Sequence, residues 1–516
     1  MVSDSERLLE AERIPGIDSN MSKVVIIGAG LGGLASAVRL ANAGFDVRVL
    51  EKEPGPGGRC SSLRDRGFRW DIGPTILLFP DVLRALFRDC GADPADYLEL
   101  SVCDPNYRIH FPDASTLTMS ANLRAMQGEL ERLAPGSFKG YLSFLEHGRA
   151  AKETAFSTFL SRTYDSPSQM LGRKELMGIV KTRSYRSLYS VVSGLVDDER
   201  VRMALTFQAM YLGLSPYEAP ALFGLLPYTE VADGVWYAKG GLGAISEALA
   251  RLATERGVRI DYGVAAASIA HRGDRASAVV TGSGERVPAD VVLANADLPY
   301  VRRVMLQRPM KRAKFTSSGL MFFWGATGQF PEVLHHNVFF GRNYAGSFRK
   351  IFDEARIPEE PSFYVANPAH SDATIAPEGN SALYVLVPVP HLSERGPDWS
   401  DPRTISRVRE HVLSRLDRTV ASGLAARIEV EHVMTPVDWQ RRFSLEHGSA
   451  FGLAHTLMQV GALRPPNRDA EVKNLYFVGA STQPATGIPN VLIGAMHVSD
   501  RIAREHASAR RAEVSA

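Results

Sequence analysis

The alternation of apolar and polar positions first becomes regular at Lys23, where Val24, Val25, Ile26 and Ile27 form an uninterrupted apolar run. Runs of this kind belong to strands buried on both faces of a parallel sheet. A glycine-rich turn, Gly28-Ala29-Gly30-Leu31-Gly32-Gly33, stops the run. Leu34, Val38 and Ala41 then recur at helical spacing up to Gly44, a natural residue just past a helix end. Val47, Val49 and Leu50 resume a strand that ends at Glu51, so the pattern predicts a βαβ unit over residues 23–51. Residues 168–198 read as helical. Residues 240–257 predict a glycine turn followed by a helix, and 258–260, 278–280 and 291–293 predict strands, the last running into Asn295-Ala296-Asp297. Residues 322–389 are β-rich, notably 382–387, and 475–479 predict one more buried strand. The simplest organisation is a nucleotide-binding domain assembled from separated segments, with a substrate domain inserted between them.

Composition narrows this little. The 516 residues are 45% hydrophobic, 22% charged and 9% aromatic, a globular average that argues against disordered, collagen-like and coiled-coil chains. At about 150 residues per domain the length suggests roughly three domain-sized units. The net charge of +2 gives no reason to expect a nucleic-acid partner. One local basic stretch stands out: Arg173, Lys174, Lys181, Arg183 and Arg186 against the single Glu175. Cys60, Cys90 and Cys103 show no CxxC spacing, so neither a disulfide framework nor a metal site is expected, and a reducing, cytoplasmic setting fits. No run approaches the roughly 20 apolar residues that span a bilayer. Residues 1–20 are acidic without an apolar core and predict a disordered tail rather than a signal peptide.

Gly28, Gly30 and Gly33 form GxGxxG between a strand and a helix, and Glu51 follows 23 residues after Gly28 at the next strand's end. Gly28 allows the tight turn, Gly30 lets backbone approach a pyrophosphate, and Gly33 lets helix and strand pack closely. The helix N-terminus offers unpaired N–H groups to the anion, and the acid accepts ribose hydroxyls. Gly57-Gly58-Arg59, Gly67 and Asp71-Ile72-Gly73-Pro74-Thr75 supply a second glycine-rich segment and a cation where an extended dinucleotide would continue, which favours FAD over NAD. Near the C-terminus Gly479 closes a strand, and Gly487-Ile488-Pro489-Asn490-Val491 leads into a helix whose N-terminus suits the flavin end. The expected cofactor residues are Gly28, Gly30, Gly33, Glu51, Lys52, Gly58, Arg59, Gly73, Pro74, Thr75, Val264, Gly479, Ile488 and Pro489.

Several separated blocks carry a family resemblance. They are Ser215-Pro216-Tyr217-Glu218-Ala219-Pro220; Gly234-Val235-Trp236-Tyr237 with Gly240-Gly241-Leu242-Gly243-Ala244; Ala376-Pro377-Glu378-Gly379; and Val387-Pro388-Val389-Pro390-His391. Gly448-Ser449-Ala450-Phe451-Gly452, Arg464-Pro465 with Asn467-Arg468-Asp469, and Asn474-Leu475-Tyr476 leading to Gly479-Ala480-Ser481-Thr482 complete the set. From about residue 24 to about 504 the chain resembles the bacterial-type phytoene desaturases, within the carotenoid and retinoid flavoprotein oxidoreductases. The resemblance implies non-covalent FAD, a lipophilic isoprenoid polyene substrate and peripheral membrane attachment. The family commonly shows His-Pro-Gly-Ala-Gly or His-Pro-Gly-Thr-Gly near the flavin, where this chain has Gln483-Pro484-Ala485-Thr486-Gly487. The family's acidic residue and arginine appear as Glu146 and Arg149, the catalytic candidates by resemblance; an ordinary surface ion pair at i and i+3 is the alternative.

The expected fold is therefore α/β: a discontinuous Rossmann-like FAD-binding domain, an inserted α+β substrate domain and a helical membrane-docking region. The divisions are 1–20 tail; 21–100, 230–298 and 468–508 FAD domain; 101–145 and 299–467 substrate domain; and 146–229 membrane-associating region. The expected reaction is desaturation of a long linear isoprenoid, a phytoene-type carotene, by hydride transfer to flavin plus proton loss. Two alternatives are a flavin-dependent desaturase, isomerase or saturase of another polyene (C30 or hydroxylated), and a non-catalytic prenyl-binding escort protein. At ~0.8 kcal/mol per CH₂, bringing tens of carbons into water costs on the order of 20–30 kcal/mol, so substrate must pass directly from bilayer to protein. Residues 170–189, basic with Leu171, Leu176, Met177, Ile179, Val180 and Leu188, are the expected docking stretch at the cell membrane. His335-His336 reads as a surface loop, His455 as a tunnel-lining or merely buried residue with Gln459, and Asp297 as either cofactor-facing or a helix N-cap.

Overall fold

The computed structural model describes residues 21–310 and 312–514, with side chains to residue 507; the tail expected over 1–20 lies outside the described residues. The expected βαβ unit nucleates a parallel sheet whose strand order is Leu475–Phe477, Val291–Ala294, Lys23–Ile27, Asp46–Glu51, Arg259–Tyr262. Val25 pairs with Val292 on one side and Arg48 on the other. Because successive side chains of a strand point to opposite faces, the apolar run 24–27 serves two cores. Val24 and Ile26 pack under the helices Leu31–Asn42, Gly243–Glu255 and the long Ile488–Val514. Val25 and Ile27 pack under an antiparallel trio, Ala266–Arg272, Arg275–Thr281 and Arg286–Pro288.

A second sheet carries seven strands in the order Ile428–Met434, Ser318–Ala326, Ser381–Val389, Phe363–Ala366, His336–Phe339, Tyr107–His110, Thr116–Met119. All its pairs are antiparallel except Tyr107–His110 with His336–Phe339. Every residue of Ser318–Ala326 is buried, with Phe322 and Trp324 turned to one core and Met321 and Phe323 to another. A helical layer, including Ser137–Thr154, Glu199–Ala204 and Leu225–Ala232, closes the remaining side.

The continuous helix expected over 168–198 is instead three short pieces, Pro167–Leu171, Arg173–Lys181 and Leu188–Val192. Gly172, in extended conformation, separates the first two, and Arg183 at φ 51° ends the second. A left-handed residue cannot continue a right-handed helix.

Asp71 ties the second glycine-rich segment to the middle of the chain: its two carboxylate oxygens accept the N–H groups of Leu242 and Gly243, both at 2.8 Å, at the start of the helix Gly243–Glu255. Gly33 does the same work sterically, since a Cβ there would lie 2.1 Å from the Gly28 carbonyl oxygen. Gly33→Ala should therefore force the turn off its helix and destabilise the protein by about 1–3 kcal/mol, the cost of overpacking, read as a lowered Tm of the flavin-free protein.

Candidate active site and cofactor cradle

A cavity of ≈ 580 Å³ opens directly from the glycine turn. Gly28, Gly30, Glu51, Lys52, Gly58, Arg59, Gly73, Pro74, Thr75, Gly479, Ile488 and Pro489, all expected to serve a cofactor, line it. The helix Leu31–Asn42 starts at Gly30 with no side-chain cap, leaving its first N–H groups for an anion. Beside it Gly57 donates its N–H to the Ala29 carbonyl at 2.8 Å, so the two glycine segments are stitched together. Glu51, 5% exposed, accepts the Ala29 N–H at 2.6 Å and the Glu53 N–H at 2.8 Å. Burial raises its pKa from the ordinary carboxyl value, opposed by those two backbone donors. An uncapped helix N-terminus, a buried acid and close backbone approach fit an FAD dinucleotide.

Two expected cofactor residues stand elsewhere. Gly33 packs against the turn rather than the cavity, and Val264 instead donates its backbone N–H to the Glu51 carbonyl at 2.8 Å, with Ala265 and Ala266 lining the cavity in its stead. The catalytic expectation is corrected more sharply. Tyr141, Phe144, Gly148 and Ala151 form the inward face of Ser137–Thr154, which leaves Glu146 and Arg149 on the exposed face. Neither lines the cavity, and Arg149 pairs with Glu153, one turn on, rather than with Glu146.

The polar groups that do reach the cavity come from other places. Asp297 is not a side-chain helix cap; it lines the cavity, takes the Ser481 hydroxyl on Oδ1, and leaves Oδ2 unpartnered. His455 is fully buried and lines the cavity, and its Nε2 accepts the Thr486 N–H at 3.1 Å. That bond fixes the neutral tautomer with the proton on Nδ1, and burial holds the pKa well below the ordinary imidazole value. Gln459 stands apart, bonded to the backbone of Lys314 and Ala454.

His335 and His336 are a correction too: they are buried, not a surface loop. Ser371 and Tyr364 hydroxyls meet their Nδ1 atoms at 2.5 and 2.6 Å, and the Cys103 Sγ lies 3.7 Å from His336 Nε2. Burial keeps both imidazoles neutral.

Gln483, where the family commonly shows histidine, makes a clamp. Its Oε1 accepts the Tyr164 N–H at 2.8 Å and its Nε2 donates to the Tyr164 and Arg464 carbonyls at 3.1 and 3.2 Å. The amide meets one backbone donor and two backbone acceptors at once, whereas a neutral imidazole carries a single N–H to donate.

The wall away from the cradle is apolar and aromatic, with Phe207, Met210, Phe223, Leu226, Phe340 and Phe348 among its residues. Phe159, Met170 and Ile179 bring the basic segment's neighbourhood into the same wall.

The profile of the flavin containing amine oxidoreductases matches residues 31–503. A zeta-carotene-forming phytoene desaturase of Myxococcus xanthus is 49% identical over 93% of each chain. The chain belongs to the flavin-containing amine oxidoreductases and, within them, to the phytoene desaturase family. A phytoene desaturase of Fusarium fujikuroi is 36% identical over 93% of this chain and 89% of its own. Among solved structures, putrescine oxidase with putrescine bound has a TM-score of 0.58 at 16% identity, over 96% of this chain and 100% of that one, a likeness of fold alone. This flavoenzyme thus uses FAD as its cofactor.

Truncating the Gln483 clamp strands two backbone groups of Tyr164 in a buried setting. Gln483→Ala should destabilise the flavoenzyme by about 1–3 kcal/mol and speed proteolytic cleavage within 160–186, followed by gel electrophoresis over time.

Proposed function

We propose that this flavoenzyme desaturates a long linear isoprenoid of the phytoene-carotene type, by loss of a hydride and a proton from adjacent carbons. The observation that carries the reading is the continuity of one cavity, which runs from the glycine cradle into a wall of aromatic and aliphatic side chains. FAD held in the cradle supplies the hydride acceptor. The protein's own residues then do three things. Glu51, the uncapped helix at Leu31 and the Ile488 helix terminus fix the cofactor. The aromatic wall aligns an unsubstituted polyene, which offers no polar handle. The buried setting excludes water from a chain on which positive charge develops.

Substrate entry follows from the outer face of the same wall. On the segment that supplies Met170 and Ile179 to the wall, Leu171, Met177, Val180 and Tyr185 are 72, 61, 65 and 63% exposed, and Leu176 46%. Arg173, Lys174, Lys181, Arg183 and Arg186 surround them, also exposed. Leu188, assigned to this face by its sequence, is instead fully buried in the helical core. Apolar side chains ringed by cations suit the interface of an anionic membrane, and this face supports peripheral binding at the cytoplasmic side of the cell membrane. Among the described residues no helix is long and apolar enough to cross a membrane.

Expression in a host that accumulates phytoene, with pigments resolved by chromatography, should show conversion to more desaturated carotenes. Unchanged phytoene beside fully flavinated protein would overturn the reading. At about 1 kcal/mol per basic residue near an anionic surface, Lys174→Glu with Lys181→Glu should lower co-sedimentation with phosphatidylglycerol-containing liposomes by at least tenfold, leaving flavin content unchanged.

A further inference from the structure

Desaturation releases a proton as well as a hydride, and the exposed Glu146 does not line the cavity. A buried carboxyl in the helical layer lies behind the cavity-lining Tyr211. Glu230, on the helix Leu225–Ala232, is 1% exposed. The Tyr107 hydroxyl donates to its Oε2 at 2.7 Å, and Gln208 Nε2 donates to the same oxygen at 3.1 Å. Oε1 has no protein partner of its own by distance and angle, and neither does Gln208 Oε1 or the Tyr141 hydroxyl nearby. On the remaining side the Tyr211 hydroxyl interacts with the carboxyl, and Tyr211 is itself a cavity-lining residue.

This arrangement is expensive for a structural device. The surrounding core is aliphatic and aromatic, and a carboxyl buried there with an open oxygen costs free energy that a glutamine or leucine would not. The groups facing Glu230 from each packed element are Tyr107, Tyr141, Gln208, Tyr211 and Asn106, whose Nδ2 donates to the Glu230 backbone carbonyl at 2.7 Å; none is a cation. Nothing therefore holds the carboxyl permanently ionised, and burial raises its pKa to about 7. A group with that affinity accepts and releases a proton at neutral pH.

We propose that the Glu230 carboxylate is the acceptor of the proton lost in desaturation, reached from the cavity through the Tyr211 hydroxyl. The inference rests on the desaturase reading. The C–H bond that yields the hydride breaks with its electron pair, which would leave with the hydrogen to the two-electron acceptor that oxidised FAD, held by Glu51 and the glycine turn, would supply. The neighbouring C–H bond breaks, its electron pair becomes the new C=C π bond, and its proton passes to the Tyr211 oxygen as the Tyr211 proton moves to Glu230. Glu230 ends as the neutral acid and releases the proton through the Tyr211 hydroxyl to water once product has left the cavity, which restores the carboxylate for the next turnover. Tyr211 is the group in contact with substrate; Glu230 acts through it.

The test compares wild type, Glu230→Gln and Tyr211→Phe as full-length flavoenzyme in phytoene-loaded liposomes. Because the base must be ionised, the wild-type rate should climb as pH rises through about 7. Glu230→Gln should lose 10²-fold or more in rate and lose that limb, with flavin content retained. Infrared pH-difference spectra, taken on the flavin-free protein as well, should show a buried carboxylic-acid C=O band titrating near neutrality in wild type and in Tyr211→Phe, but not in Glu230→Gln. Tyr211→Phe, which removes only a hydroxyl, should slow turnover while keeping the band. A Glu230→Gln enzyme with the wild-type rate, or one slowed equally at every pH with the limb intact, overturns the proposal, and so does a wild-type spectrum without the band. Wild type that forms no desaturated product sinks the desaturase reading itself, an outcome separate from these.

Discussion

The site depends on a guanidinium buried without a contacting carboxylate. Arg464 is 1% exposed, and its donors go to five backbone carbonyls: Thr482, Ala454, Gln459, Leu453 and Ala480. A buried cation is tolerable only if its charge is met, and here carbonyl dipoles meet it directly while Asp297 supplies opposite charge from farther off. Burial lowers its pKa to about 9, so the group stays charged at neutral pH. The consequence is geometric. Two irregular segments, 453–459 and 480–482, are gathered onto one planar fork, and both contribute to the cavity wall through Leu457, Ala480 and His455.

From that anchor the polar groups fall into two sets. One set fixes backbone: Asp71 at the Gly243 helix, Gln483 on Tyr164, and Asn467, whose Nδ2 reaches the Phe477 and Gln483 carbonyls at 3.0 and 2.9 Å. The other set faces the cavity with something left open: Asp297 Oδ2, His455 Nδ1 and, one layer behind Tyr211, Glu230 Oε1.

The cradle was legible in the sequence because its chemistry is local. A strand, a glycine turn, a helix and a strand-end acid are read within thirty residues, and Gly28, Gly30 and Glu51 stand where that pattern puts them. The strands 291–294 and 475–477 were legible too, as short apolar runs, although their adjacency in the sheet was not. The misplacements share one cause. Glu146 and Arg149 rest on the resemblance alone, but the face of a helix is decided by its neighbours, and Gly148, where a Cβ would lie 2.4 Å from the Tyr228 Cβ, turns the opposite face inward. His335-His336 looked like a loop because two adjacent imidazoles carry no periodicity, yet the partners that bury them lie at Cys103, Tyr364 and Ser371. Glu230 was equally silent: an acid in Tyr228-Thr229-Glu230 has no signature until Tyr107 and Gln208 are folded against it.

The same distance from local pattern explains the substituted histidine. At position 483 a glutamine exchanges paired hydrogen bonds with Tyr164, which precedes the exposed apolar patch by only a few residues and follows Phe159, itself in the cavity wall. The segment from 159 to 186 is thus inner wall on one side and an exposed surface of apolar and basic side chains on the other, and its fixed point is an amide of the loop that leads into the Ile488 helix. A neutral imidazole there would offer one N–H where the amide offers two, so either the Tyr164 or the Arg464 carbonyl would lose its donor. The glutamine keeps both bonds, and the wall segment stays registered with the loop that leads into the Ile488 helix through an attachment that carries no titratable group.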